Sequence, residues 1–304
     1  MASYQVSTQR RYWKFSSPEE LESLRQVSRS RYQQKYPQKN SIDPEREAVF
    51  RLGCSYRLYR LARAEPISLP RYVAATAVVL FKRFCLYNCI LEWDLDILLC
   101  TLVYIAAKAE ENYRAASQIS LRLEREILST EIPLLSSIHF QAVCYHPYLL
   151  IRAAFPEFQT WHRIDEAVIR TDAMLLMSPA AFALVLLGRD QGFHHPIWQD
   201  HEAERERCFE LYEYMMQQTE RFFEHGGSGT EPRGTSALEE EFERLRAWYL
   251  SNRDPLLDKD SAESRQRQEE EKRQLERQKR RHLRMVEEEE RKRQALLSSG
   301  KVEK

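Results

Sequence analysis

The feature that most constrains this chain is an uncharged run that extends from Ile97 to Ala107. A helix built from such a run carries apolar side chains on every face, so other helices must surround it. The run is too short to cross a bilayer, which takes about 20 apolar residues. We therefore predict a buried helix over 94–112 at the centre of a globular domain. Ala106 is small, so a neighbouring helix can come close to its last turns.

Lys108 follows this run at a position where the apolar face would otherwise continue. An unpaired ammonium in a dry site costs several kcal/mol. The side chain must therefore reach water at the end of the helix or find a carboxylate partner. The first alternative is the commoner one in proteins, and the second places a lysine at the rim of a partner-binding surface.

The composition narrows the class of protein. The chain has 8 glycines among 304 residues and few alternating β-branched runs, which predicts an all-helical fold. Lys plus Arg and Asp plus Glu both total 46, so no overall basic field favours non-specific binding of nucleic acid. The six cysteines include no Cys-x-x-Cys pair, which indicates buried thiols in a reducing compartment. The first residues have no apolar core, so we expect no signal peptide.

Local signals predict a helix that begins near residue 18. Ser17 can cap it, Pro18 can be its first residue, and Glu20 can return a hydrogen bond in a capping box. Trp13 and Phe15 precede the cap and can attach the helix to a larger body.

The two faces of this helix differ in polarity. Leu21, Leu24 and Val27 recur on one face, which we expect to be buried. Arg25 and Arg29 lie on the other face, and we expect them to be solvated rather than paired with an acidic surface.

Hydrophobic periodicity predicts the remaining helices. We expect them over 45–64, 70–87, 121–140, 149–155, 164–177, 179–187, 200–223 and 237–250. The basic pair Lys82 and Arg83 interrupts the apolar set of the second of these segments. Pro133 lies inside the apolar stripe of 121–140, where it should kink the helix or mark a new start.

The composition changes toward the end of the chain. Residues 225–234 are rich in glycine and predict a flexible linker. Between residues 259 and 293 Glu, Arg, Lys and Gln dominate, with favourable i,i+4 pairs such as Glu269 with Arg273. The apolar residues are too few and irregular for a coiled coil. An exposed, partly populated helix and a solvated charged tail are both consistent with this pattern, and the tail is favoured.

The sequence offers no strong catalytic or metal-binding motif. It contains no phosphate-binding loop, no dinucleotide fingerprint and no Gly-x-Ser-x-Gly elbow. His194, His195 and His201 cluster beside a proline but lack a fourth ligand, so a zinc site is not favoured.

Two further pairs of residues have ordinary structural interpretations. Cys85 and Cys89 lie four apart on a helical pattern without a second ligand pair, which indicates buried thiols. Glu110 and Glu111 have no nucleophile nearby in sequence, which indicates an exposed acidic pair. We therefore expect no catalytic residue, no cofactor and no metal, and the chain reads as an interaction protein.

Two stretches carry a family resemblance. Residues 80–84 and 99–111 resemble the cyclin box, in which a buried third helix ends in a pattern like Ala-x-Lys-x-Glu-Glu. The fifth helix of that family carries a glutamate before an aliphatic run, and residues 131–140 are similar to it. Residues 9–21 and 171–179 resemble the cyclin H branch of the family. The resemblance extends from about residue 7 to 223, more fully in the first repeat than in the second.

The resemblance implies an all-α fold. It consists of two cyclin-box five-helix repeats, the second of them shortened, flanked by N-terminal and C-terminal helices. The implied organisation is an N-terminal helix and loop over 1–44, a first cyclin box over 45–144, a second, reduced box over 145–225, a flexible linker over 226–236 and a charged C-terminal helix or tail over 237–304.

The resemblance also implies a site. In cyclins the residues that match Lys108 and Glu131 grip the backbone at the start of a kinase's movable αC helix. Four further side chains would line the apolar cleft around them: Ile105, Ala109, Leu135 and Phe140. Ala109 is smaller than the residue that many cyclins have there, so the cleft would be shallower.

The function implied by the resemblance is that of a regulatory subunit without catalytic groups. It would bind and activate a kinase similar to cyclin-dependent kinase 7, which phosphorylates other cyclin-dependent kinases and the C-terminal repeats of RNA polymerase II. The implied partners are that kinase, a RING-finger assembly factor and the core of transcription factor IIH, in the nucleus, with no direct nucleic acid and no membrane.

Two alternatives stay open. One is another transcriptional cyclin of the C, K or T type, or a cyclin-box general transcription scaffold that binds DNA. An ordered N-terminal helix at residues 13–20 would argue for the cyclin H interpretation, and a disordered one would argue for this alternative. The other is a metal-dependent enzyme that uses the histidines at 194, 195 and 201.

Overall fold

A computed structural model of the chain describes residues 4–39, 42–154, 161–188, 202–224, 235–258 and 262–298. Within these ranges every regular element is an α-helix or a 3-10 helix, which confirms the all-helical prediction. The chain divides into two compact units, Met1–Arg253 and Asp254–Lys304. No helix in the described part of the chain is both long enough and apolar enough to span a membrane.

The α-helices are numbered here in chain order. In the first unit they are α1 (Thr8–Tyr12), α2 (Pro18–Lys35), α3 (Pro44–Arg63), α4 (Arg71–Tyr87), α5 (Leu95–Ala109), α6 (Ala116–Ile119), α7 (Glu124–Ser137), α8 (Tyr148–Ala154), α9 (Trp161–Arg170), α10 (Ala173–Leu176), α11 (Pro179–Gly188), α12 (Glu202–Glu224) and α13 (Thr235–Asn252). The second unit contains α14 (Ala262–Ser298).

Helix α5 is the buried centre of the first repeat, as the uncharged run predicts. Asp94 caps it by accepting a hydrogen bond from the Ile97 N–H at 3.1 Å. The residues over 98–107 are each at most 8% exposed, and α3, α4, α6 and α7 pack around them. The helix ends at Ala109, before the predicted limit of 112, because Glu111 adopts a left-handed φ of 55°.

The N-terminal segment attaches α2 to this body. Ser17 caps the helix through the Glu20 N–H at 3.4 Å, while the Glu20 carboxylate accepts from the Ser16 N–H at 2.7 Å. Trp13 is 1% exposed and Phe15 is 8% exposed. The predicted cap and the predicted apolar attachment are therefore confirmed, with the return bond shifted by one residue.

The prediction for the two faces of α2 is wrong in part. Arg25 and Arg29 are 7% and 9% exposed, whereas Val27 is 51% exposed. Arg25 donates to the Asp172 carboxylate at 2.7 Å, and Arg29 donates to the Glu47 carboxylate at 2.7 Å. The arginines are buried because carboxylates from distant parts of the chain reach them, which helical periodicity does not reveal.

Helix α7 runs without interruption from Glu124 to Ser137, across Pro133. The interpretation of Pro133 as a new start is therefore wrong. Pro133 is exposed, and only the hydrogen bond that its own missing N–H would have made is lost. The helix begins three residues later than the periodicity predicts.

Helices α8 to α11 of the first unit are short, with at most 10 residues each. The predicted helix over 164–177 is divided, because α9 ends at Arg170 and α10 begins at Ala173. The Thr171 hydroxyl donates to the Ala167 carbonyl at 2.5 Å and so closes the end of α9. Residues 155–160 and 189–201 lie outside the described residues, and the domain limits implied by the resemblance stay predictions.

Helix α13 packs on α3 as part of the first unit. Phe242 is 4% exposed and stacks on Phe50 with ring centroids 5.4 Å apart. The Tyr249 hydroxyl donates to the Trp93 carbonyl at 2.6 Å and accepts from the Leu95 N–H at 3.1 Å. The predicted helix over 237–250 is thus present, and its apolar face is part of the core.

Most of the described part of the second unit is one long helix. Helix α14 has 37 residues, so the favoured interpretation of a solvated tail is wrong and the helical alternative holds. The predicted pair of Glu269 and Arg273 is formed at 3.4 Å, and such pairs on an exposed helix each contribute about 0.2–0.5 kcal/mol.

Candidate protein-binding site

The site is built around an ion pair between two helices. Lys108 lies in the last turn of α5, and Glu131 lies in the middle of α7. The Lys108 Nζ donates to the Glu131 Oε1 at 2.5 Å. The Lys108 side chain is 41% exposed and that of Glu131 is 15% exposed. The sequence left two alternatives for Lys108, exposure to water or pairing with a carboxylate. The structure shows both, because Lys108 reaches the surface and is paired with Glu131 there.

The surroundings hold Lys108 in its charged form. The hydrogen bond with Glu131 raises the pKa of Lys108, although partial burial of the ammonium acts in the opposite direction. The same ammonium lies 5.1 Å from the centroid of the Tyr104 ring, within the range of a cation–π contact. Tyr104 is 5% exposed, so its ring is held in the core beneath the lysine ammonium.

Helix α7 presents an apolar stripe to solvent beside this pair. Leu128 is 49% exposed and Ile132 is 60% exposed, and Leu135 on the next turn is half-buried. The opposite face of the helix is buried, with Ile127 and Leu134 each 0% exposed. Glu131 lies between these apolar side chains. Its carboxylate is therefore bordered by apolar surface on which no other described segment of the chain packs.

The end of α7 directs one more aromatic side chain outward. His139 and Phe140 have φ values of 56° and 57°, in the left-handed region. The Phe140 N–H donates to the Leu135 carbonyl at 2.7 Å, which closes the helix with the 6→1 bond of a Schellman motif. Residues with a Cβ adopt this conformation at a cost of about 1–2 kcal/mol each. Phe140 is left 61% exposed.

Four of the six site residues expected from the sequence lie together at the surface, and the other two are partly or fully buried. Lys108 and Glu131 are in direct contact, and Leu135 and Phe140 lie on or just after the same helix as the glutamate. Ala109 is half-buried. Ile105 is only 2% exposed, so it belongs to the core beneath the site rather than to its open surface.

Sequence reasoning missed two exposed residues of this surface. Leu128 and Ile132 were not among the site residues expected from the sequence. The sequence did contain an indication of this exposed surface, because the apolar residues of α7 occupy more of the helix circumference than one buried face requires. An excess of this kind predicts that part of the helix is exposed.

The other candidates from the sequence do not form a second site. Cys85 and Cys89 are free, with 3% and 2% exposure, and burial raises the pKa of Cys85 to about 12. Among the described residues no group of three potential ligands is placed to hold a metal ion. His194, His195 and His201 lie outside the described residues.

The predicted exposed acidic pair is half right. Glu111 is exposed, but burial raises the pKa of Glu110, whose carboxylate lies 2.5 Å from the Thr76 hydroxyl. That hydroxyl is also 2.6 Å from the His146 Nε2. Burial lowers the pKa of His146 to about 3, with a smaller effect of Arg83 in the same direction. The cluster is therefore an internal polar contact between α4 and the segments that follow α5 and α7.

Fold and site together define the class: an all-helical protein whose first repeat surrounds one buried helix and exposes an apolar stripe beside an ion pair. No protein-family model matches the chain. It is 30% identical over 155 residues to a putative cyclin-H of Dictyostelium discoideum, a match that covers 48% of this chain and 53% of that protein. It is also 30% identical over 176 residues to Cyclin-C1-1 of Oryza sativa subsp. japonica, covering 50% of this chain and 67% of that protein. The chain thus spans about half of the length of the Dictyostelium relative.

Two solved structures share the fold. One is a chain of the CAK complex from Chaetomium thermophilum bound to ATP-γ-S, with a TM-score of 0.64, 21% identity, and coverage of 90% of this chain and 96% of that chain. The other is a chain of the yeast TFIIK (Kin28/Ccl1/Tfb3) complex, with a TM-score of 0.50, 19% identity, and coverage of 80% and 100%. The chain belongs to the cyclin family, and its fold is the cyclin-box fold.

Proposed function

We propose that this chain is a regulatory subunit that binds and activates a cyclin-dependent kinase similar to kinase 7, and that it performs no catalysis itself. The observation that carries the proposal is the exposed pair of Lys108 and Glu131 beside an apolar stripe, in a chain of the cyclin family. The similarity to cyclin-H of Dictyostelium and to a chain of a CAK complex supports this choice of kinase.

The ion pair keeps hydrogen-bonding capacity for a partner. An ammonium has three donors, and the Lys108 Nζ uses one of them on Glu131 Oε1. The carboxylate keeps its second oxygen as an acceptor. Lys108 can therefore donate to a backbone carbonyl and Glu131 can accept from a backbone N–H of the same incoming segment. Charge-assisted bonds of this kind are about twice as strong as neutral ones.

The apolar stripe supplies the rest of the binding energy. Leu128, Ile132 and Phe140 have between 49% and 61% of their surface exposed, and covering such side chains stabilises a complex by about 25 cal/mol for each Å² buried. We propose that this surface covers one face of the kinase's αC helix while Lys108 and Glu131 hold the backbone at its start, with Leu135 and Ala109 at the edge of the contact and Ile105 supporting it from the core.

Activation then follows from selective binding. Kinase catalysis requires that a glutamate of αC pairs with the lysine of strand β3. A surface that binds αC better in this inward position shifts the kinase population toward its active arrangement. The chain needs no catalytic group for this role.

The proposed assembly is the kinase complex of transcription factor IIH. The yeast TFIIK structure contains Kin28, Ccl1 and Tfb3, and its likeness to this fold supports a complex of three subunits. In that setting the partners of this chain are the kinase, a RING-finger assembly factor and the core of transcription factor IIH, with no direct contact to nucleic acid. The place of action is the nucleus.

A second candidate is a transcriptional cyclin of the C type, which the similarity to the Oryza protein favours. The N-terminal segment argues for the first candidate, because α2 is a folded helix and Trp13 is 1% exposed. Affinity purification of the chain with identification of the kinase that accompanies it separates the two.

The proposal is tested by removing the ion pair. Lys108→Ala combined with Glu131→Ala removes two charge-assisted hydrogen bonds, each worth about 1.5–3 kcal/mol. We expect affinity for the kinase, measured by titration calorimetry, to fall by more than tenfold.

The matched control removes another ion pair of the same unit. Arg57 and Glu243 form a surface pair at 3.2 Å between α3 and α13, and their double alanine variant should leave kinase affinity unchanged. Equal affinity of the Lys108/Glu131 variant and the wild-type chain, with both folded by circular dichroism, would contradict the proposal.

A further inference from the structure

The first unit contains a cavity between its two halves, remote in sequence from the site described above. Its volume is about 160 Å³, room for roughly five water molecules. The wall is formed by α2, α3, α4, the end of α9 with residues 171–172, and α12. The charged residues that line it are Glu22, Arg25, Arg51, Lys82, Arg170 and Asp172.

The lining has an excess of positive charge. Four cations face two carboxylates, a balance of +2. The pairs behind the wall, Arg29 with Glu47 and Glu166 with Arg170, add one cation and two carboxylates and still leave +1. Buried charges are normally matched by partners of opposite sign, so the positive balance of the described lining favours an anionic ligand.

Two of the cations have nitrogen atoms without a hydrogen-bond partner among the described residues. Arg25 is 7% exposed; its Nη2 donates to Asp172 at 2.7 Å, but its buried Nε has no hydrogen-bond partner. The buried Arg51 Nη1 lies 3.1 Å from the Glu47 carboxylate without hydrogen-bond geometry. Buried unsatisfied donors are uncommon and costly, and both residues line the same cavity.

The third buried cation is poorly compensated as well. Lys82 is 7% exposed and donates to the Thr171 carbonyl, while its Nζ is 3.9 Å from the Asp172 carboxylate. Burial of the ammonium outweighs the attraction of Asp172, and Arg25 and Arg51 add to the effect, so that the pKa of Lys82 falls to about 8.

We propose that this cavity is a binding site for a phosphate group, either free phosphate or the phosphoryl group of a modified side chain. A tetrahedral dianion fits within the space, accepts several hydrogen bonds at once, and pairs with guanidinium groups in a fork geometry. It would satisfy the free Arg25 Nε and the Arg51 guanidinium and offset the excess charge. Glu22, whose side chain is 47% exposed, lies at the mouth.

A bound anion at this position would join the two halves of the unit. Arg25 comes from the N-terminal helix, Arg51 from the first repeat, and Thr171 and Asp172 from the second. The inference concerns a surface separate from Lys108 and Glu131 and stands whether or not the chain binds a kinase.

The test uses the full chain with orthophosphate as the probe. Thermal unfolding and titration calorimetry are recorded with phosphate and with chloride at equal ionic strength, which removes general screening. We expect saturable heat and a saturable rise in the unfolding midpoint with phosphate. A response that grows without saturation is the general effect of an excluded salt on any protein surface, and it would overturn the proposal.

Three variants make the test specific. Arg51→Met should weaken phosphate binding by about tenfold, the value of one charge-assisted contact. Glu22→Gln, which removes a repulsive carboxylate from the mouth, should strengthen it by about threefold. Arg57→Met on the same helix removes the same charge away from the cavity and should change nothing. Equal losses in the two arginine variants would overturn the proposal.

A second probe distinguishes the sources of the phosphate group. N-acetyl-phosphoserine amide is titrated against the wild-type chain and against the Arg51→Met variant. Competition with orthophosphate supports a phosphorylated side chain as ligand, and binding of orthophosphate alone supports free phosphate. If Arg51→Met does not fold, the absence of saturable binding by either probe to the wild-type chain is sufficient to refute the site.

Discussion

Substitution of Gly53 by alanine tests how closely α13 is packed on α3. In the interior of an exposed helix this change stabilises by about 1 kcal/mol, because alanine loses less conformational freedom than glycine. At Gly53 an added Cβ would lie 2.5 Å from the Phe242 Cδ2 and 3.2 Å from the Phe242 Cβ. The ring must therefore move away from its stacked position on Phe50.

The expected cost follows from the burial of that ring. Phe242 is 4% exposed, and full burial of a phenylalanine stabilises by about 1.5–3 kcal/mol. Losing much of this burial energy costs more than the gain in helix propensity from alanine. We therefore expect Gly53→Ala to destabilise the first unit by about 1–2 kcal/mol. For a unit of this size that lowers the melting temperature by about 2–8 °C.

A double-mutant cycle separates the two effects, with urea unfolding followed by circular dichroism as the assay. Phe242→Ala removes the obstacle, so Gly53→Ala in that background should stabilise by about 1 kcal/mol. The predicted reversal of sign depends on the contact between the two residues. If Gly53→Ala raises stability in the wild-type background, the packing of α13 described here is refuted.

Two further outcomes are expected for buried charged and titratable groups. Burial lowers the pKa of His146 to about 3, so between about pH 6.5 and 3 the imidazole is protonated in the unfolded chain but not in the folded one. The free energy of unfolding should therefore fall as pH drops through this range, by at most about 5 kcal/mol. In urea unfolding at pH 7 and 4.5, a His146→Gln variant should lose less stability than the wild-type chain, and equal losses would contradict this. Asp172→Asn leaves Arg25 and Lys82 without their shared carboxylate, and it should lower the free energy of unfolding, measured by thermal unfolding, by about 3–5 kcal/mol. The control Asp96→Asn, at an exposed position of α5, should lower it by less than about 0.5 kcal/mol.

Much of the first repeat could be predicted from local sequence. The limits of α3 and α4 agree with the predicted helices over 45–64 and 70–87 within one residue at each end, because prolines and capping residues mark them. The pairing of Lys108 with a carboxylate was one of two alternatives, since a lysine at the end of an apolar helix can be solvated or paired. The family resemblance placed Glu131 at the same site, and the structure identified it as the partner of Lys108.

The exposure of side chains along α7 could not be predicted in the same way. Leu128, Ile132 and Leu135 have the same chemical character as Ile127 and Leu134, and the periodicity of the helix does not say how many of its faces have a neighbour. Contact with α5 covers one face and leaves the other open. The extent of the binding surface therefore required the packing of the two helices.

By itself the sequence determined that the fold is all-helical and that one helix lies at its centre, because a largely apolar run without a charged side chain has no face suited to water. It also determined where most of the helices of the first repeat begin. Only the tertiary structure decided which charges are buried and with what partners: Arg25 meets Asp172, which is 147 positions away in the chain. Ion pairing depends on distances of a few ångströms between helices, and the order of residues along the chain does not contain them.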